Sequence, residues 1–165
     1  TAGWLVMDRA KIPEVVAWTW EAGAYVCPTM MVVKTLTGNN ASPADAAVVE
    51  ENRRTLLLEL HRGGIPILLG TDSGIDVVPP GTSIHDELLE LTSAGLSPYA
   101  ALAAGTVVAA EFLGEAEEFG AVRVGLRGDL LLIEENPLVD IGAVSEPVGV
   151  MVNGSWYTAA ELAAL

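Results

Sequence analysis

The chain has 165 residues and carries 22 acidic against 8 basic side chains, a formal charge of −14 at pH 7. That balance excludes nucleic acid and anionic membrane surfaces as partners, because too few cations are present to neutralise phosphates. Apolar residues make up 51% and charged residues 18%, too apolar for a disordered chain and below the ~25% charge of an ordinary soluble domain, yet no stretch reaches the ~18 unbroken apolar residues of a membrane span.

The composition instead suits a domain whose apolar surface is covered by protein outside this chain. With one cysteine, Cys27, no internal disulfide can form, and a reducing, cytoplasmic compartment fits. The chain opens on Thr1 with no signal peptide, so a processed terminus or a fragment boundary is expected.

In chain order, Pro13 suits a helix start, and the pattern predicts a helix over Ile12 to Ala22, ended by Gly23. Trp18 on that helix reads as core or interface. The apolar run Ala24 to Val33 (AYVCPTMMVV) reads as a buried strand containing Cys27 as a core thiol, with Thr35 to Ala41 a polar loop. Ser42-Pro43-Ala44-Asp45 combines a cap, a first-turn proline and a charge suited to the helix N-terminus. It opens a helix to about Arg62, stopped by Gly63-Gly64. Ile65 to Leu69 is short and continuously apolar, as in a parallel strand buried on both faces. Thr82 is the expected cap of a helix ending near Gly95. Ser97-Pro98 starts another, interrupted at Gly105 and ending at Gly114.

Gly120 to Val124, Asp129 to Ile133 and Val148 to Val152 read as short strands. Asn153-Gly154 is a type I′ hairpin signal. Thr158 and Glu161 form a capping box for a terminal helix. Strand–helix units therefore run to about Gly114, and a β-rich module follows.

Asp72, in Gly70-Thr71-Asp72-Ser73-Gly74 after the Ile65–Leu69 strand, is the candidate catalytic residue. In parallel α/β folds, ligands gather at the C-terminal ends of strands. A carboxylate there can hold a divalent cation or accept a proton from an activated water; it can equally cap a turn. His85, in the first turn of the next helix, can bind substrate or orient Asp72, or serve as a hydrogen-bonded helix-start histidine. His61 reads as structural or surface. No phosphate loop, dinucleotide fingerprint, CxxC pair, HExxH or G-x-S-x-G elbow is present.

These stretches resemble, in order and spacing, the amidohydrolase superfamily. Gly64 to Gly74 (GIPILLGTDSG) is similar to its last barrel strand, in the imidazolonepropionase- and prolidase-like branch. Val26-Cys27-Pro28-Thr29-Met30 resembles the V-x-P-T-L of the seventh strand, and His85-Asp86-Glu87-Leu88 the H-x-E-L helix start. Ala94-Gly95-Leu96-Ser97-Pro98 with Ala100-Ala101-Leu102 resembles A-G-L-S-P-x-E-A-L. Gly105 to Gly114 resembles A-T-x-N-A-A-x-x-L-G, departing at Gly105 and Val108. Gly120 to Leu130 resembles G-x-I-x-x-G-x-x-A-D-L, and Asn136-Pro137-Leu138 and Val152-Asn153-Gly154 resemble N-P-L and V-N-G.

The resemblance implies an α/β fold: residues 1–119 as the C-terminal part of a TIM-like (β/α)8 barrel with its last two strands and helices, residues 120–158 as part of a small β-sandwich module, and residues 159–165 as a terminal helix. It implies a metal-dependent hydrolase of a carbon–nitrogen bond in an amide, lactam or dipeptide, using one or two divalent ions, zinc by family habit. Asp72 would be metal ligand and proton shuttle, and His85 a substrate-binding residue. The implied partners are a small-molecule substrate and the missing N-terminal part of the barrel, with homo-oligomerisation compatible.

The family's H-x-H and further metal histidines have no counterpart here, and the lysines are Lys11 and Lys34 alone. The isolated chain is therefore expected to be inactive, as the C-terminal portion of a longer enzyme. The alternative is a non-catalytic fragment or subunit that keeps the end of the fold without a complete metal site.

Overall fold

The structure, a computed structural model, describes residues 5–164. The chain divides into two compact units, one ending at Leu96 and the other beginning at Ser97.

In the first unit, helix α1 (Ile12–Glu21) has Pro13 in its first turn, as expected. Helix α3 (Pro43–Arg62) begins as its sequence predicts. Ser42 Oγ accepts the Asp45 N–H at 3.2 Å, and Pro43 stands where the missing donor costs nothing. Its buried face carries Val49, Arg53, Leu57 and Leu60, and it packs against both α1 and helix α2 (Met30–Asn40). Helix α4 (Ser83–Ser93) buries Leu88 and Leu91 and packs against α2. Arg54 Nε donates to the Ala94 carbonyl at 3.0 Å, tying α3 to the end of α4.

Five expectations for this unit need correction. The run Ala24 to Val33 is not a strand throughout. Val26 makes an isolated parallel bridge with Ile67, and the chain turns helical at Met30. β-Branched residues favour strands only weakly, and here the first N–H groups of α2 find a buried acceptor in Glu87, which settles the segment as helix. The expected loop Thr35 to Ala41 is consequently the second half of α2 as far as Asn40, whose Nδ2 donates to the Leu36 carbonyl at 2.8 Å.

Ile65 to Leu69 is likewise reduced to the bridge at Ile67, although Ile65 and Ile67 are buried. A parallel ladder propagates when neighbours pair on both sides, and these two segments have each other. Cys27 is exposed rather than a core thiol. Thr82 makes no side-chain cap bond; α4 is entered through a turn in which the His85 N–H donates to the Thr82 carbonyl.

The second unit packs helix α5 (Pro98–Ala104) on α6 (Val107–Leu113). Ser97 Oγ accepts the Ala100 N–H at 3.1 Å. A three-stranded antiparallel sheet follows, ordered β1 (Leu130–Leu132), β2 (Gly149–Val152), β3 (Ser155–Thr158). Its hairpin turns at Asn153 and Gly154, with φ of 48° and 79°, the positive values that a type I′ turn requires. Asp129 Oδ1 accepts the Asn153 N–H at 2.7 Å, so the Asp-Leu and Val-Asn-Gly motifs meet in one contact. Helix α7 (Ala159–Leu162) carries the expected Thr158–Glu161 capping box. The strand expected over Gly120 to Val124 does not form; the segment is irregular, with bends at Gly120 and Ala121 and a turn at Val124, and Gly120 sits at φ +99° beside Ala110 and Thr106.

Among the described residues no helix is long and apolar enough to cross a membrane.

Candidate functional site

The site is built where two segments run side by side. The Val26 N–H donates to the Pro66 carbonyl at 3.0 Å, and the Leu68 N–H donates to the Val26 carbonyl at 2.8 Å. Because the pairing is parallel, the loops that follow, Cys27–Thr29 and Gly70–Gly74, leave from the same end. They touch there: a Cβ built on Gly70 would lie 2.6 Å from Cys27 Sγ. Thr71 is buried, while Asp72 is exposed and left-handed at φ 54°. An aspartate tolerates that conformation better than most residues, and it turns the chain so that buried Thr71 is followed at once by an exposed carboxylate.

Although Cys27 is exposed as a residue, its sulfur lies against Gly70, and this partial desolvation raises its pKa; the negative charges of Glu87 and Asp72 add to the effect, and a hydrogen bond at the Thr29 backbone opposes it. Such a thiol stays protonated at neutral pH and is a poor nucleophile.

Behind this pair of loops stand two charged residues that the sequence reading did not single out. Arg53 on α3 is 3% exposed and Glu87 on α4 is 0% exposed. Arg53 Nη1 donates to the Met30 carbonyl at 2.9 Å, and Nη2 to those of Thr29 at 2.9 Å and Pro28 at 3.2 Å. Glu87 Oε1 accepts the Met30 N–H and Oε2 the Met31 N–H, each at 2.8 Å. Burial pushes the Glu87 carboxyl up, against the pull of the two amide donors and Arg53. Burial also lowers Arg53, against the charges of Glu50, Glu87 and Glu90. A signal was present in the sequence. Arg53 falls on the same helical stripe as Val49, Leu57 and Leu60, and a charge on a core stripe must be partnered.

His85 is half-buried in the first turn of α4, and His61 is exposed in the last turn of α3. A catalytic zinc requires at least three protein ligands. Among the described residues no group of three or more His, Cys, Asp or Glu is gathered that could hold a metal ion. These residues do not, by themselves, fit a metal centre.

The amidohydrolase family model matches residues 5–157, and the chain belongs to that family. It is 33% identical over 90 residues to the ochratoxinase of Aspergillus niger, covering 54% of this chain and 18% of that protein. Among solved structures, a Xaa-Pro dipeptidase with methionine bound in its active site superposes with a TM-score of 0.76 at 22% identity, over 93% of this chain and 38% of that one. The structure of A. niger ochratoxinase superposes with a TM-score of 0.73 at 27% identity, over 88% and 34%. The chain thus spans well under half the length of these relatives.

Proposed function

We propose that this chain is part of a hydrolase of carbon–nitrogen bonds and that Asp72 is its proton-transfer carboxylate. The observation that carries the reading is the exposed Asp72 on the loop that follows a paired, buried segment, in a chain matched by the amidohydrolase family over 5–157. In such a reaction the water oxygen bonds to the carbonyl carbon and the carbon–nitrogen bond breaks. Asp72 takes a proton from the water and delivers it to the departing nitrogen. On this reading residues 1–119 form the last two strand–helix units of a (β/α)8 barrel, residues 120–158 part of a β-sandwich module and residues 159–165 its terminal helix.

Asp72 is further proposed as one ligand of a divalent cation, zinc by family habit. The other ligands lie outside this chain, because the described residues gather no group that holds a metal. His85 is proposed to contact substrate from the first turn of α4. The dipeptide substrate in the name Xaa-Pro dipeptidase and the amide bonds that the family resemblance implies define the panel to test: dipeptides with C-terminal proline and simple N-acyl amino acids. The polypeptide as its gene encodes it, purified with zinc, should release amine from at least one of them. A catalytically silent subunit is the second reading, favoured by the same lack of a metal-holding group. It requires that no substrate be turned over.

A further inference from the structure

We propose that Arg53 and Glu87 are positioning residues that hold the Cys27–Thr29 loop in the conformation it needs beside the Asp72 loop. The catalytic half of this proposal rests on the hydrolase reading; the conformational half does not.

Four successive residues, Pro28 to Met31, are bound through their backbone by these two side chains: carbonyls of Pro28, Thr29 and Met30 by Arg53, N–H groups of Met30 and Met31 by Glu87. Within that stretch Thr29 sits at φ 44°, ψ 53°, a left-handed conformation that a β-branched residue adopts only when its surroundings enforce it. The enforcement comes from outside the loop, from α3 and α4, the two helices packed on α2.

An ordinary helix start needs nothing of the kind. A serine or threonine at the cap satisfies the first donors at no desolvation cost, yet the Thr29 side chain makes no cap bond. Two buried charges are an expensive substitute where stability alone is at stake. What they achieve is a fixed backbone path from Cys27 into α2. Cys27 is the residue whose sulfur meets Gly70, two positions before Asp72. Loosening the clamp therefore releases one wall of the site while leaving Asp72 in its own loop.

The test uses Glu87→Asp and Arg53→Lys, which keep each charge but cannot make all the bonds, in the polypeptide as its gene encodes it. Alkylation of Cys27 by iodoacetamide, followed by peptide mass mapping, should be at least fivefold faster in each variant. Against the best substrate of the panel, kcat should fall at least tenfold while KM changes less than threefold, the pattern of a displaced site rather than lost substrate contacts.

An unchanged alkylation rate in a variant that still melts cooperatively overturns the clamp. Faster alkylation with wild-type kcat overturns its catalytic half. A wild-type protein that hydrolyses nothing sinks the hydrolase reading, and the alkylation rates still decide the clamp. Should neither variant fold, hydrogen exchange in the wild type decides it: the Met30 and Met31 amides must exchange at least a hundredfold more slowly than an unstructured chain, and free exchange overturns the proposal.

Discussion

Cys27 and Gly70 fit together sulfur to backbone: a Cβ added at Gly70 would stand 2.6 Å from Cys27 Sγ. The contact joins the ends of the two parallel segments and is how the Cys27–Thr29 loop comes to border the loop bearing Asp72. Gly70→Ala should therefore cost about 1–3 kcal/mol of stability through overpacking. Cys27→Ala in the same chain should restore most of it, because the clash partner is then gone. Urea melts of the two single variants and the double variant give the coupling directly; simple additivity would mean that the two residues do not touch.

The Glu87 carboxyl gives a pH signature. Burial raises its pKa, with Glu90 adding to the effect and the Met31 and Met30 amides and Arg53 opposing it. Between the usual carboxylate range and that raised value, the folded state binds more protons than the unfolded state, so stability falls as pH rises through this window. The contribution is complete below the unfolded value. Wild type should thus gain stability relative to Glu87→Gln as pH is lowered from neutral toward 5, measured by denaturant titration at several pH values. A difference between the two that does not vary with pH would contradict the assignment.

Much of this was legible in the sequence because the signals were local. Ser42-Pro43 and Ser97-Pro98 announce their helices by cap chemistry, and Asn153-Gly154 announces its hairpin by backbone preference. The Asp72 loop stood out because glycines flank a carboxylate after an apolar run. What was not legible was decided at long range. Met30 to Val33 reads as strand until Glu87, 57 positions away, supplies acceptors for the first N–H groups of a helix. The Ile65–Leu69 run has strand composition, but a strand is defined by its partners and Ile67 has Val26 alone. Arg53 and Glu87 read as solvent-facing because charged residues are expected in water; the stripe of Val49, Leu57 and Leu60 marks Arg53 as buried, but its partners, the carbonyls of Pro28, Thr29 and Met30, lie more than twenty positions away.

In the second unit, Gly149 is held glycine by an aromatic ring. A Cβ there would lie 2.2 Å from Trp156 Cζ2 and 2.8 Å from the Tyr157 carbonyl oxygen. Gly149→Ala must shift the indole or part the strands, and should destabilise the hairpin by about 1–3 kcal/mol. Chemical denaturation followed by near-ultraviolet circular dichroism checks it; a variant as stable as wild type would show that Trp156 is free to move.

The surface of the 165-residue chain is unusually apolar in places. Trp18 and Trp20 on α1 are 60% and 62% exposed, and all three residues of the edge strand β1 are exposed. Uncovered strand edges with apolar side chains pair with whatever reaches them. The isolated chain should therefore associate at micromolar concentration, and light scattering should report masses above 17.2 kDa. A monodisperse monomer would show that these faces need no cover.

The central claim is that Asp72 carries the chemistry. Asn keeps the shape of the side chain and removes its capacity to accept a proton, a capacity worth about 10²–10⁴ in rate. The decisive measurement is kcat of Asp72→Asn in the polypeptide as its gene encodes it, against the amide substrate that the wild type cleaves best, with circular dichroism confirming an unchanged fold. The account predicts a loss of at least a hundredfold. A folded variant with kcat within threefold of wild type would contradict it.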